Sequence, residues 1–342
     1  MSTIFLAIKN VFHGAVAVVM LIPIIATMGQ TGSADTAVEY PDITTNQYIS
    51  EYMNPDISAH RSGGGIAPQN TLMAFENIIE NADALGVDTL EFDVQITKDG
   101  ELVLVHDLTY DGVADVKDTL GKSNVFVSSL TLEEAKKLNM GENFKVDGEY
   151  PYRGLRGENV PYNLRVVTCD EVMDYVEANC GNREYRYVIE IKSIGLNGRK
   201  AADKLYSVIT ERGLQNRTVW STFAPVTSAY MARQYPEIDR TADAIEAVQF
   251  YFYYRMNWNL QDVKPTYTAL QIPYGASAFD NLINLGNREM LNYAHKNNIA
   301  VQYWTINSEE EVRTLAENGA DCIMTDYPQM AYEAVRSYGV KK

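Results

Sequence analysis

The stretch TLEFDVQITKDGELVLVHD, residues 89–107, decides the fold. It contains two apolar-rich runs, TLEFDVQI (89–96) and LVLVHD (102–107), joined only by TKDGE. Parallel neighbours need a crossover of about a dozen residues or more, so the pair predicts an antiparallel hairpin turned at Asp99-Gly100. Glu91 and Asp93 stand two apart in the first run and therefore share one face of the strand. The hairpin returns His106 and Asp107 to the end where those acids sit.

Outward from this hairpin, further short β-rich runs occur at 57–61, 187–193, 218–223, 239–244, 269–273, 300–307 and 321–326. Helical patterns such as TLMAFENIIENADALG (71–86) and GRKAADKLYSVITERGL (198–214) lie between them. Strands alternating with helices of this length predict parallel βαβ units. Without the returning arm of the hairpin, eight parallel strands remain, which predicts an α/β fold of the (β/α)₈ barrel type. Residues 107–167 are irregular apart from TLEEAKKLN (131–139) and read as an insertion over the top face. The polar leader 35–55 reads as a linker or a strap across the barrel bottom, and 56–336 as the barrel domain.

The chain has 342 residues, 46% of them hydrophobic and 22% charged, enough for a full core. With 29 basic against 45 acidic residues the formal charge is −16, which argues against a nucleic-acid partner. A small phosphate-containing substrate needs only a few local cations and remains compatible. Residues 10–34 carry no charge, and VAVVMLIPIIATM (16–28) follows Lys9 and precedes the small residues Gly32 and Ala34. This pattern predicts a signal peptide cleaved near Ala34 or an N-terminal membrane anchor. Either way the protein is expected to be extracytoplasmic, secreted or membrane-anchored, with possible membrane association through residues 1–34. The three cysteines are too few for a disulfide framework. Cys169 and Cys180 share one predicted helix too far apart to bridge, and no Cys/His pattern suggests zinc.

In such a barrel the active site lies at the C-terminal ends of the strands. The polar residues there are His60 and Arg61, Glu91 and Asp93, His106 and Asp107, Glu190 and Lys192, Trp304, Thr305 and Asn307, and Thr325 and Asp326. Converging carboxylates repel unless a cation sits between them, and oxygen-only ligands point to Ca²⁺ or Mg²⁺. The competing reading is a salt-bridge network of Glu190, Lys192, Arg61 and the acids. Two imidazoles suit general acid–base work, and an arginine beside them suits an anion. His13 lies in the leader, and His295, inside a predicted helix, reads as structural. Metal, Arg, Lys and two His together describe phosphoryl-ester cleavage better than acyl or hydride transfer. The glycines of HRSGGG (60–65) mark a loop that bends sharply or lets a ligand come close.

AHRSGGGIAPQNT (59–71), EFDVQITKDGELVLVHD (91–107), IEIK (189–192), WTIN (304–307) and GADCIMTDYP (319–328) together resemble the glycerophosphodiester phosphodiesterases. The resemblance implies a TIM barrel that hydrolyses small glycerophosphodiesters to glycerol 3-phosphate and an alcohol. It implies that Glu91, Asp93 and Glu190 bind a divalent metal, Ca²⁺ or Mg²⁺. His60 and His106 would be the acid–base pair, while Arg61 and Lys192 would hold the phosphate. Trp304 and Asn307 are expected in the substrate pocket. Two departures stand out: His-Arg-Gly becomes His-Arg-Ser-Gly-Gly-Gly, and Pro-Glu-Asn-Thr becomes Pro-Gln-Asn-Thr at Gln69. Two alternatives stay open: a phosphodiesterase acting on a lysophospholipid or other lipid, and a non-catalytic extracytoplasmic binding protein. The aromatic run VQFYFYYRMNWNL (248–260) reads either as an element packed on the barrel or as a lip for a lipid.

Overall fold

The computed structural model describes residues 37–39, 44–274 and 284–337, so the apolar leader lies outside the described residues. The chain begins with strand β1 (Asp56–Ala59), helices α1 (Leu72–Glu80) and α2 (Ala82–Leu85), and strands β2 (Thr89–Ile96) and β3 (Leu102–Leu104). The insertion carries two short helices, α3 (Val116–Leu120) and α4 (Leu132–Ala135), before α5 (Cys169–Asn179) and β4 (Arg186–Ile191). Then strands and helices alternate: α6 (Gly195–Glu211), β5 (Thr218–Ser221), α7 (Pro225–Gln234), β6 (Asp239–Arg240), α8 (Ala244–Arg255) and β7 (Ala269–Pro273). The chain closes with α9 (Arg288–Lys296), β8 (Ala300–Trp304), α10 (Glu309–Asn318), β9 (Cys322–Thr325) and α11 (Pro328–Arg336).

Eight strands run parallel in the order β6-β5-β4-β2-β1-β9-β8-β7. The two ends of that order meet at a parallel bridge between Thr241 and Ala269, with Thr268 N donating to Arg240 O at 2.9 Å and Ala242 N to Ala269 O at 2.8 Å. The result is a nearly closed (β/α)₈ barrel. β3 stands off this ring, paired antiparallel to the upper half of β2 from Val94↔Leu104 to Ile96↔Leu102.

β2 is buried along its whole length because both of its faces are covered. Leu90, Phe92 and Val94 face the helices, where Phe92 meets Phe75 edge-on at 5.5 Å. The barrel's lower interior is apolar, built from Val188, Val219, Ala269, Ala300, Cys322 and Met324, with Tyr48 packed against them. The leader segment holding Tyr48 ties itself to the strand starts: Asn46 Nδ2 donates to Thr268 O at 2.7 Å and Asn298 O at 2.9 Å, and Ser50 Oγ to Asp321 O at 2.6 Å. The insertion builds a small core of its own around Tyr110, Val127, Leu138 and Val166.

Several strands end earlier than their apolar runs. His60 and Arg61 fall in a tight turn after β1, Lys192 lies just beyond β4, and Asn307 lies in the loop after β8. The run 239–244 gives only a two-residue strand, because Asp243 caps α8 by accepting hydrogen bonds from Ile245 N and Glu246 N. The aromatic run is not a lip. It lies mainly in α8, with Phe250 and Tyr251 buried against the barrel. Cys169 and Cys322 are buried free thiols, as expected of core cysteines.

His295 is fully buried on α9, its Nε2 3.0 Å from Asp321 Oδ2 and its Nδ1 3.1 Å from Glu39 O. Burial disfavours the charged ring, but Asp321 and that carbonyl outweigh it and raise the His295 pKa above 6.5. A raised folded-state pKa contributes stability that is fully present below the unfolded value and is lost as pH rises through the folded one. Urea unfolding of wild type and His295→Gln at pH 5.5 and pH 9 should therefore show a larger loss on substitution at pH 5.5. An equal loss at both would show that the ring charge contributes nothing.

Candidate active site

Parallel pairing sets Asp93 opposite Glu190 and Glu91 opposite Val188, so all three carboxylates face the barrel interior near its top. Glu91, Asp93 and Glu190 are all buried, and a carboxylate oxygen from each lies within 4.8 Å of the others. Lys192 reaches in from just past β4, its Nζ 2.7 Å from Glu190 Oε1 and 3.3 Å from Asp93 Oδ1. Arg61 Nε sits 3.7 Å from Asp93 Oδ2.

The electrostatics of the three acids differ. Burial, then Asp93 and Glu190, push the Glu91 pKa well above the ordinary carboxylate range. Burial also works against Asp93, but Lys192, His106 and Arg61, with a hydrogen bond from Asn70, hold it far below that range. Lys192 is kept charged against burial by Glu190 and Asp93. Protein cations thus satisfy Asp93 and leave Glu91 short of positive charge. An all-oxygen, clustered donor set with one under-compensated acid fits a hard divalent ion.

The turn after β1 explains the glycines. Arg61, Ser62 and Gly63 adopt left-handed φ values of 50°, 60° and 81° in succession. This geometry aims Arg61 N at Glu91 Oε2, 2.6 Å away. A side chain on Gly65 would strike the Tyr327 ring at 2.6 Å, so this glycine serves close packing rather than access for a ligand. Arg61 Nη1 donates to Gln69 Oε1 at 2.7 Å, while its Nε is buried and makes no hydrogen bond. Asn70 Nδ2 donates to Asp93 Oδ2 at 2.9 Å, and Asp93 N donates to Asn70 Oδ1 at 3.2 Å. Thr71 then caps α1.

Each of the two histidines at the mouth has a carboxylate on Nδ1. His60 Nδ1 lies 2.8 Å from Asp326 Oδ1, and His106 Nδ1 lies 2.7 Å from Asp107 Oδ1. Burial lowers the His60 pKa despite Asp326, keeping the ring neutral near pH 7. The hydrogen bond from His106 lowers the Asp107 pKa. Asn307 is committed within the protein: its Nδ2 donates to Asp326 Oδ2 at 2.7 Å, and its Oδ1 accepts from Thr325 Oγ1 and Asp326 N. Trp304 faces Phe223 edge-on at 5.9 Å, and Lys192 Nζ lies 5.7 Å from the Phe223 ring centroid.

Seven of the nine sequence-predicted positions lie at or just past strand ends, while Glu91 and Asp93, the third and fifth residues of the eight-residue β2, face in from within the barrel. Sequence reasoning did not assign the supports: Asn70 on Asp93, Asp326 on His60, Asp107 on His106 and Phe223 beside Lys192. Asp107 and Asp326 stood among the strand-end polar residues without a role, whereas Asn70 and Phe223 were not singled out as site residues.

This fold and this mouth define an α/β barrel with an all-oxygen acidic cluster at its centre and cations and carboxylate-held imidazoles around it. A model of the glycerophosphoryl diester phosphodiesterase family matches residues 60–330, and the chain belongs to that family. A glycerophosphodiester phosphodiesterase of Caldanaerobacter subterraneus subsp. tengcongensis is 30% identical over 285 residues, covering 83% of this chain and 98% of that protein. A putative family member from Silicibacter pomeroyi shares the fold with a TM-score of 0.65 at 23% identity, over 84% of this chain and 95% of that one. An Oleispira antarctica phosphodiesterase, solved with its product sn-glycerol-3-phosphate, shares it with a TM-score of 0.56 at 20% identity, over 82% and 96%.

If the three acids hold a divalent ion, Ca²⁺ or Mg²⁺ at about 100 times its Kd should stabilise the protein by about 2.7 kcal/mol. Asp93→Asn and Glu190→Gln should each remove most of that increment, read as the ion-induced shift in Tm. An unchanged shift in both variants would rule the cluster out as the binding site.

Proposed function

We propose that this protein is a phosphoric diester hydrolase that cleaves small glycerophosphodiesters to glycerol 3-phosphate and an alcohol, dependent on Ca²⁺ or Mg²⁺. The observation that carries the reading is the triad Glu91, Asp93 and Glu190 set against Arg61 and Lys192 at the mouth of a barrel of this family. The triad would hold the ion, which when bound supplies charge stabilisation to the phosphoryl oxygens. Arg61, with its Nε free of hydrogen bonds, and Lys192 bind and orient the phosphate.

His60 serves as base. Asp326 holds the proton on Nδ1, so Nε2 accepts the proton of the substrate's glycerol 2-hydroxyl, whose oxygen attacks phosphorus. His106, fixed by Asp107, gives its Nε2 proton to the departing alkoxide as the phosphorus–oxygen bond breaks. Water then opens the cyclic phosphate with the two roles reversed. Asn307 acts through Asp326 as a positioning residue, and Trp304 with Phe223 forms a wall of the substrate pocket.

Purified protein should release glycerol 3-phosphate from glycerophosphodiesters in a coupled assay, and a chelator should abolish the signal. His106→Ala should lose about 10²- to 10⁴-fold in turnover while keeping the ion-induced Tm shift. Full turnover in that variant would remove His106 from the mechanism, and wild-type binding without turnover would favour a binding protein.

A second reading is a lipid phosphodiesterase on the same site. Ile194, Leu196, Val226 and Ile245 are half or more exposed on the loops and first helical turns that follow β4, β5 and β6, on the face where the site opens. Comparing glycerophosphocholine with lysophosphatidylcholine separates the two: equal or better turnover of the lipid would establish this alternative. The uncharged leader supports an extracytoplasmic location, secreted or anchored by that segment.

A further inference from the structure

A cavity of about 160 Å³ opens beside the catalytic mouth, between the glycine turn after β1 and the insertion. A single water needs roughly 10–15 Å³ in this measure, so the cavity has room for an alcohol of several heavy atoms. Its walls join the two halves of the acid–base machinery. Gln69, on one wall, accepts the hydrogen bond from Arg61 Nη1. Gly112, on the other, lies so close to Asp107 that an added Cβ would be 2.7 Å from Asp107 Oδ2, the carboxylate that holds His106.

The rest of the lining sets its chemistry. Val113, Met140 and Phe144 supply apolar surface, and Gln69 and Asn143 supply neutral amides. Lys145 is the only charged residue among those that line it. A positively charged alcohol such as choline would want a carboxylate or an open aromatic face. Asp107 and Asp326, the nearby carboxylates, are engaged by His106 and His60, and the lining ring of Phe144 stacks on Tyr152 with centroids 6.2 Å apart. Ammonium and amide donors with apolar walls suit hydroxyl groups on a carbon frame instead.

We infer that this cavity is the subsite for the leaving alcohol, and that Lys145 makes it select hydroxyl-rich alcohols over positively charged ones. The assignment rests on the hydrolase reading above. Lys145 is exposed in a loop, so its replacement leaves the barrel core untouched.

The test compares kcat/KM for glycerophosphoinositol and glycerophosphocholine in wild type, Lys145→Glu and Lys145→Arg. Wild type should prefer the inositol ester by about fivefold, the scale of one exposed charge interaction. Lys145→Glu should invert that preference, mainly through KM, and Lys145→Arg should retain it. Glycerol 3-phosphate released from both esters with a ratio that Lys145→Glu leaves unmoved would overturn the subsite and spare the hydrolase reading. No release from either ester by wild type would overturn both.

Discussion

Asp93 and Glu190 stand directly opposite each other in the β2–β4 ladder, two buried carboxylates on one face of a parallel sheet. Like charges in register destabilise a sheet, and a buried carboxylate without a partner costs several kcal/mol. Everything around the mouth responds to that conflict. Lys192 bridges the pair from just past β4, Arg61 approaches from the turn after β1, and the peptide N–H of Arg61 turns inward to Glu91 through a left-handed backbone. Such strain persists only where the surroundings over-determine it, and here it delivers a donor to the one acid the lysine does not reach.

The barrel divides this burden along its axis. Below, Val188, Val219, Ala269 and Ala300 pack against Tyr48, and the leader segment satisfies the strand-start carbonyls through Asn46. Above, the inward positions become Asp93, Glu190 and Ser221, with Glu91 level with Val188 at the boundary and Gln302 and Gln271 hydrogen-bonded at 2.9 Å. The stable lower end holds the ring nearly closed even though β6 contributes only two residues. The upper end is thereby free to carry groups that oppose folding.

The parts of this arrangement that repeat locally were legible in the sequence. Period two put Glu91 and Asp93 on one face, as it did Glu190 and Lys192, and the five-residue link after β2 predicted a partner off the parallel ring. Strand ends were read too long where a polar side chain caps the next helix, as Asp243 does, or where the chain turns left-handed after Ala59. Asp107 and Asp326 were legible as strand-end polar residues, but not their pairing with the imidazoles. Asp326 lies 266 residues from His60, and only closure of the ring through β9 beside β1 makes them neighbours. Asn70 reaches Asp93 for a similar reason, across a glycine turn whose path no periodicity describes.

Charge balance gives the departure at Gln69 a physical sense. Three acids against Arg61 and Lys192 leave the centre at −3 + 2 = −1, in keeping with the raised pKa of Glu91. On the proposed function a divalent cation brings the centre to +1, opposite to the single negative charge of a phosphodiester. A glutamate at position 69 would add another negative charge 2.7 Å from the Arg61 guanidinium. It would then compete with the substrate for that cation. The neutral amide instead orients Arg61 by one hydrogen bond without adding a negative charge beside it. The same choice makes the wall next to Lys145 neutral, so on the proposed function one side chain bears on both the phosphate centre and the cavity beside it.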